Sequence, residues 1–130
     1  MKKIVIIGAG PGGYHAAVCL ARANCKVVLI EKECIGGTCL NVGCIPSKVL
    51  LDHTSTFEHF INLSKKKVFL HNDIKINPEG LRTYQKEVIK ELSLGLEKLF
   101  KKKQVEVIYG EAKLLSDHMI QVQSDDKNIE

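Results

Sequence analysis

Four of the six residues from Gly8 to Gly13 are glycine. What flanks them constrains the fold more than any other feature of the chain. Lys3 to Ile7, just before, is a short apolar run rich in β-branched residues, as a buried parallel strand requires. Tyr14 to Ala23, just after, is Ala-rich and helical in composition. Cys25 to Ile30 is a second apolar strand that ends at Glu31. The order strand, glycine turn, helix, strand is one βαβ unit, and it commits the chain to a parallel sheet with a crossover helix.

Within the turn, Gly8, Gly10 and Gly13 have the spacing G-x-G-x-x-G. The first glycine permits the tight turn, the second lets backbone approach a pyrophosphate, and the third lets helix and strand pack closely. Free backbone N–H groups at the helix N-terminus then meet the phosphate charge. Glu31 stands at the end of the next strand, where an acid accepts hydrogen bonds from an adenosine ribose. The competing interpretation is a plain glycine turn with a surface glutamate. Its position between strand and helix favours dinucleotide binding. The motif does not separate NAD from FAD.

The remainder supplies the other layers. Thr38 is the expected N-cap of a helix that starts near Cys39, continues to about Thr56 and is disturbed at Pro46. From Phe57 to Pro78 the pattern assigns no element. From Pro78, Leu81, Tyr84, Val88, Leu92, Leu96 and Leu99 recur at spacings of three and four, giving one apolar stripe on a long helix. Glu79 in its first turn and Lys101 to Lys103 in its last suit the helix dipole. Val105 to Ile108 reads as a strand, and Ala112 to Leu115 with Met119 to Val122 as a hairpin around Ser116, Asp117 and His118. The tail from Ser124 to Glu130 is polar, with no further core element expected. The apolar run Ile4 to Ile7 is too short for a membrane span or a signal-peptide core, so the expectation is a cytoplasmic protein, or a mature form without its leader, with no membrane partner. The net charge of +4 is concentrated partly in Lys65–Lys67 and Lys101–Lys103. No aromatics interleave them, so they read as solvated helix ends and no nucleic-acid partner is expected.

All five cysteines lie between Cys19 and Cys44. An odd number without a secretion signal argues against a disulfide framework. Cys19, Cys25 and Cys34 read as small apolar filler in or beside core segments. Cys39 and Cys44 lie five positions apart on an expected helix, and five steps of roughly 100° leave them on different faces. A disulfide between them therefore needs a locally widened or broken backbone, for which Gly43 and Pro46 supply the means. A bridge over so short a loop contributes little to stability, which favours a redox role over a staple. A helix N-terminus would also favour the thiolate. Two inert buried thiols, or a zinc site of unusual spacing, are the alternatives.

The run Gly36-Gly37-Thr38-Cys39-Leu40-Asn41-Val42-Gly43-Cys44-Ile45-Pro46-Ser47-Lys48 is similar to the signature of the class I pyridine nucleotide–disulfide oxidoreductases. Leu40 and Ile45 to Lys48 give it most likeness to the dihydrolipoamide dehydrogenase branch, with glutathione and mercuric reductases as relatives. The resemblance covers essentially the whole chain, with its specificity in residues 4 to 48. It implies a Rossmann-like α/β FAD-binding domain with a parallel sheet, a long helix and a β-hairpin. By that resemblance the Gly8–Gly13 turn, with Pro11, holds the FAD pyrophosphate and Glu31 the ribose, and the stretch from Lys32 through Gly37 to Thr38 lines the cofactor. Cys39 exchanges with the substrate disulfide, Cys44 sits against the flavin, and Lys48 approaches the ring and supports its reduced form. Ala112, in Gly110-Glu111-Ala112, meets the adenine. Lipoamide or another disulfide is the implied substrate, NAD the second cofactor of the full-length parent, and a homodimer, with a 2-oxo acid dehydrogenase complex as partner, the implied assembly.

The family pattern continues with an A-T-G segment, an NAD domain and an interface domain bearing a His-Glu pair. None of the five histidines here matches that pair. The expectation is therefore the N-terminal part of an FAD-binding domain, incomplete at its C-terminus. Such a piece would have an unpaired sheet edge, weak FAD affinity and no NAD-dependent turnover. A non-catalytic nucleotide-binding module and a small thiol or metal-binding protein are the competing functions.

Overall fold

The computed structural model describes residues 2–69, 74–124 and 128–129. Three strands, β1 (Lys3–Ile7), β2 (Lys26–Glu31) and β3 (Glu106–Tyr109), form a parallel sheet with β2 in the middle. Register places Val5 beside Val28, and Leu29 beside Val107. The helix α1 (Pro11–Arg22) joins β1 to β2. Between β2 and β3 come α2 (Gly37–Asn41), α3 (Cys44–Lys65) and α4 (Pro78–Lys103). After β3, β4 (Glu111–Ser116) and β5 (Met119–Gln123) form an antiparallel hairpin, and β6 (Asn128–Ile129) pairs with β5. That last pairing forms a short strand that the sequence did not indicate. Among the described residues, β1 has a strand on one side only.

The unbroken apolar run of β2 follows from burial on both faces. Val27 and Leu29 face a core shared with Ala17, Val18, Phe100 and Val105. Val28 and Ile30 face the other way and pack with Val122 of the hairpin. Leu29 and Phe100 are at most 1% exposed, and burying each contributes about 1.5–3 kcal/mol.

The expected stripe on α4 meets the first core only near its C-terminal end. Leu96 and Leu99 pack against the first core, whereas Tyr84 and Leu92 are 46% and 43% exposed. The buried anchor is Phe100, one position off the stripe, because only the last turns of α4 lie over α1 and the sheet. The helix starts as its sequence suggests. The Asn77 side chain accepts from the Gly80 N–H at 3.1 Å, and Pro78 occupies the first turn. Lys101 to Lys103 close it, and Gln104 at φ 55° turns the chain into β3.

Three further expectations are corrected. The N-cap of α2 is Gly36, at φ 94°, and Thr38 lies inside the helix; only a left-handed residue makes the turn out of the loop here. The break between helices is at Val42 and Gly43, not at Pro46. Pro46 sits in the first turn of α3, where its missing N–H costs nothing, and α3 runs on past Thr56 to Lys65. Cys19 and Cys34 are exposed, so they are not filler; Cys25 alone of the three packs against the core. The stretch 57–78, unassigned from the sequence, begins inside α3, and its residues 70–73 lie outside the described residues.

Candidate functional site

The C-terminal ends of the three parallel strands carry the glycine turn, the Lys32–Gly36 loop and Gly110. This is the edge at which open α/β sheets bind ligands. Gly8, at φ 92°, donates its N–H to the Ile30 carbonyl at 2.7 Å, pinning the turn to β2. A Cβ on Gly13 would overlap the Gly8 carbonyl oxygen, so α1 approaches β1 more closely than any other residue permits. A Cβ on Gly10 would meet nothing within 4 Å, which leaves the outer face of the turn open. The first helical bond runs from the Tyr14 N–H to the Gly10 carbonyl at 2.9 Å, so the amides of Gly12 and Gly13 precede the α1 ladder. An open glycine face under a helix N-terminus is the donor set that a pyrophosphate requires, and this chain fits that group.

Glu31 is the buried acid of this edge, 8% exposed. One carboxylate oxygen accepts from the Ala9 N–H at 2.7 Å, the other from the Glu33 N–H at 2.8 Å. It thus ties the glycine turn to the loop after β2. Gly36 adds a second tie, donating to the Ala9 carbonyl at 2.9 Å. Gly37, at φ 59°, lies so close that a Cβ there would be 2.8 Å from the Gly10 Cα. Gly8, Gly10, Gly13, Glu31 and Gly37 therefore converge. Lys32 and Thr38 are exposed beside them, Lys32 3.9 Å from the Glu33 carboxylate. A polar cleft of about 660 Å³ continues along this edge, lined by Lys32, Glu33, Tyr109, Gly110, Gln123 and Ser124. Tyr109 and Gln123 were not singled out from the sequence, since only strand pairing brings them beside Lys32. Ala112 lies apart from this cleft: it pairs with Val122 in the hairpin and lines a smaller neighbouring one. Burial beside Glu97, Cys34 and Glu31 raises the Tyr109 hydroxyl pKa above its ordinary value, desolvation being the largest cause.

Cys39 lies in α2, and Cys44 opens α3, exposed. Both are free thiols, and they lie close enough that Cys44 is the main influence on the Cys39 thiol. The helix break makes this possible. Gly43 brings the start of α3 against α2 so closely that a Cβ would be 3.0 Å from the Thr38 carbonyl oxygen. Asn41 braces α2 from within, its amide donating to the Ile35 and Gly37 carbonyls at 3.1 and 2.9 Å. Gln85 of α4 donates to the Pro46 carbonyl at 2.9 Å and holds the first turn of α3 from outside. The hydrogen bond to Cys44 raises the Cys39 pKa, with burial and the charge of Cys44 adding to it; Lys48, exposed on α3, pulls it the other way. Cys39 also opens into an apolar cavity of about 320 Å³ between α1, α2, α4 and the start of α3, walled by Tyr14, Ile45, Leu92, Leu96 and Leu99. Among the described residues no group of three or more His, Cys, Asp or Glu side chains is placed to hold a metal. No described helix is long and apolar enough to cross a membrane.

A parallel sheet with a glycine cradle at its carboxyl edge, and two thiols in contact at a helix break beside it, defines a dinucleotide-binding fold joined to a dithiol centre. The chain matches the pyridine nucleotide-disulphide oxidoreductase family over residues 2–130, and it belongs to that family. It is 38% identical to a dihydrolipoyl dehydrogenase of Manduca sexta, over 94% of this chain and 25% of that protein. To the mitochondrial dihydrolipoyl dehydrogenase 2 of Arabidopsis thaliana it is 41% identical, over 96% of this chain and 25% of that one. Among solved structures it resembles the HOCl-induced flavoprotein disulfide reductase RclA of Escherichia coli, in its Cu(II) complex. That match has a TM-score of 0.74 and 27% identity, covering 98% of this chain and 25% of that one. The fold is also that of LpdA from Mycobacterium tuberculosis, with a TM-score of 0.87 at 24% identity over 99% of this chain and 29% of that one. The chain thus spans about a quarter of the length of these curated relatives.

Proposed function

We propose that this chain forms the FAD-binding part and the redox dithiol of a flavoprotein disulfide oxidoreductase of the dihydrolipoyl dehydrogenase kind. The observation that carries this is the Cys39–Cys44 contact across the Gly43 break, one short helix away from the Gly8–Gly13 cradle. The amides of the cradle would hold the FAD pyrophosphate and Glu31 the ribose, Lys32, Gly37, Thr38 and Ala112 would add further contacts, and Lys48 would supply a cation for the reduced flavin. Bound FAD supplies a two-electron carrier beside the dithiol.

The rest is the work of the two sulfurs. With Cys39 and Cys44 oxidised to a disulfide, a thiolate of a dithiol substrate, such as dihydrolipoamide, enters by the apolar cavity and attacks the Cys39 sulfur. The Cys39–Cys44 bond breaks, and Cys44 leaves as a thiolate. The substrate's second thiol then attacks the mixed disulfide and releases Cys39, so the substrate leaves as a disulfide and the protein as a dithiol. The N-terminus of α3 stabilises the charge on Cys44, and the Cys39 thiol donates to it. NAD as the final acceptor, a homodimer, a 2-oxo acid dehydrogenase complex as partner and a cytoplasmic setting belong to the same proposal for the whole protein.

A visible absorption spectrum tests it, with FAD added and dithionite titrated in. A protein-bound flavin band that develops a long-wavelength shoulder on partial reduction, and loses it in Cys44→Ser, is the expected result. Bound flavin without any shoulder would leave a nucleotide-binding module with no redox dithiol. No bound flavin would overturn the cofactor assignment.

A further inference from the structure

The apolar cavity at Cys39 has one feature that disulfide exchange does not explain. Among the described residues Glu91 is its only carboxylate, and no basic side chain lines it. Glu91 is exposed on α4, one turn before Gly95, and among the described residues no Lys or Arg is ion-paired with it. A lone carboxylate beside an apolar wall leaves that wall unchanged for a neutral arm, attracts a cationic arm and repels an anionic one.

We propose that Glu91 sets the charge class of the disulfide that reaches Cys39, admitting neutral and cationic arms and rejecting those with a carboxylate near the sulfurs. This rests on the proposed approach of substrate through the cavity. Lys48 is a cation whose charge reaches the same thiol, and it is kept in every variant, so comparison between variants isolates Glu91.

The test uses a Cys44→Ser form of the chain, in which a mixed disulfide at Cys39 persists. The probes are cystamine, hydroxyethyl disulfide and dithiodiglycolate, cationic, neutral and anionic respectively. In each case the Cys39 thiolate attacks one probe sulfur, the probe S–S bond breaks, and the other half leaves as a thiolate that takes a proton from solvent. Rates are read by peptide mass spectrometry, with exposed Cys34 as a reference on the same chain. The cationic-to-anionic rate ratio at Cys39 is expected to fall about fivefold in Glu91→Gln and further in Glu91→Lys, an effect of the size that surface charges exert. Raising salt to roughly 0.5 M shrinks the ratio in the Glu91 form, because the carboxylate is screened. Gly95→Phe probes the cavity itself. A Cβ at Gly95 would meet nothing within 4 Å, so the ring enters the cavity and slows all three probes at Cys39 while their ratio stays. A ratio that is the same in Glu91→Gln overturns the proposal. No reaction at Cys39 with any probe, while Cys34 reacts, overturns the approach through the cavity instead.

Discussion

Gly12 and Gly13 are neighbours in the first turn of α1, and alanine at each should act in opposite directions. At Gly13 a methyl would overlap the Gly8 carbonyl oxygen, and it would lie 3.0 Å from the Gly8 carbonyl carbon and 3.6 Å from Ile6 Cγ2. The obstacle is backbone, so no rotamer change relieves it. Gly8 itself is held at φ 92° by its 2.7 Å bond to the Ile30 carbonyl, and yielding would break that bond. Overpacking costs about 1–3 kcal/mol and a lost hydrogen bond about 1, against roughly 1 gained from replacing glycine in a helix. The net loss in Gly13→Ala is then about 1–3 kcal/mol, out of a total stability of roughly 5–15. At Gly12 a methyl meets nothing within 4 Å, and the helical gain stands alone. For a domain of this size about 3 kcal/mol corresponds to roughly 10 °C in Tm. Thermal unfolding followed by far-UV circular dichroism should place Gly13→Ala about that far below Gly12→Ala. Melting of the two within about 2 °C of each other would refute the close approach of α1 to β1.

Glu31→Gln keeps one acceptor but presents an NH₂ to the Ala9 or Glu33 amide, so it should lose about 1.5–3 kcal/mol in urea unfolding and weaken FAD binding in the same preparation. An unchanged midpoint would show that the turn does not depend on this carboxylate. Asn77→Ala removes the cap of α4 and should cost about 1 kcal/mol, whereas Asn77→Asp should be nearly neutral, both read from denaturant midpoints. The Cys39 pKa is raised, so the fold favours the thiol; this contribution is present below the ordinary thiol value and lost as pH rises through the folded value. Alkylation of Cys39 should therefore inflect at higher pH than an unperturbed thiol, lower in Cys44→Ala and higher still in Lys48→Met. An inflection that ignores Cys44 would remove the hydrogen bond as its cause.

The sequence by itself determined the parallel βαβ unit, because four glycines between an apolar strand and an Ala-rich helix admit no other local geometry. It also determined the extent of α4 at both ends, because Pro78, Glu79 and the three lysines act through the backbone of their own helix. It did not determine which residue of that helix enters the core. Phe100 does so because of how α4 crosses α1, which periodicity along one helix cannot encode. The need for a break between Cys39 and Cys44 was legible from their spacing, and Gly43 was one of the two residues that could supply it, but the choice between Gly43 and Pro46 was not. Pro46 fits a first helical turn, and Gly43 is the residue whose missing side chain lets two helices meet. Exposure of Cys19 and Cys34, the bracing of the glycine turn by Glu31 and the place of Glu91 at the Cys39 cavity were likewise decided by tertiary packing. Each depends on groups far apart in the chain, and a local pattern carries no information about what a distant segment brings beside it.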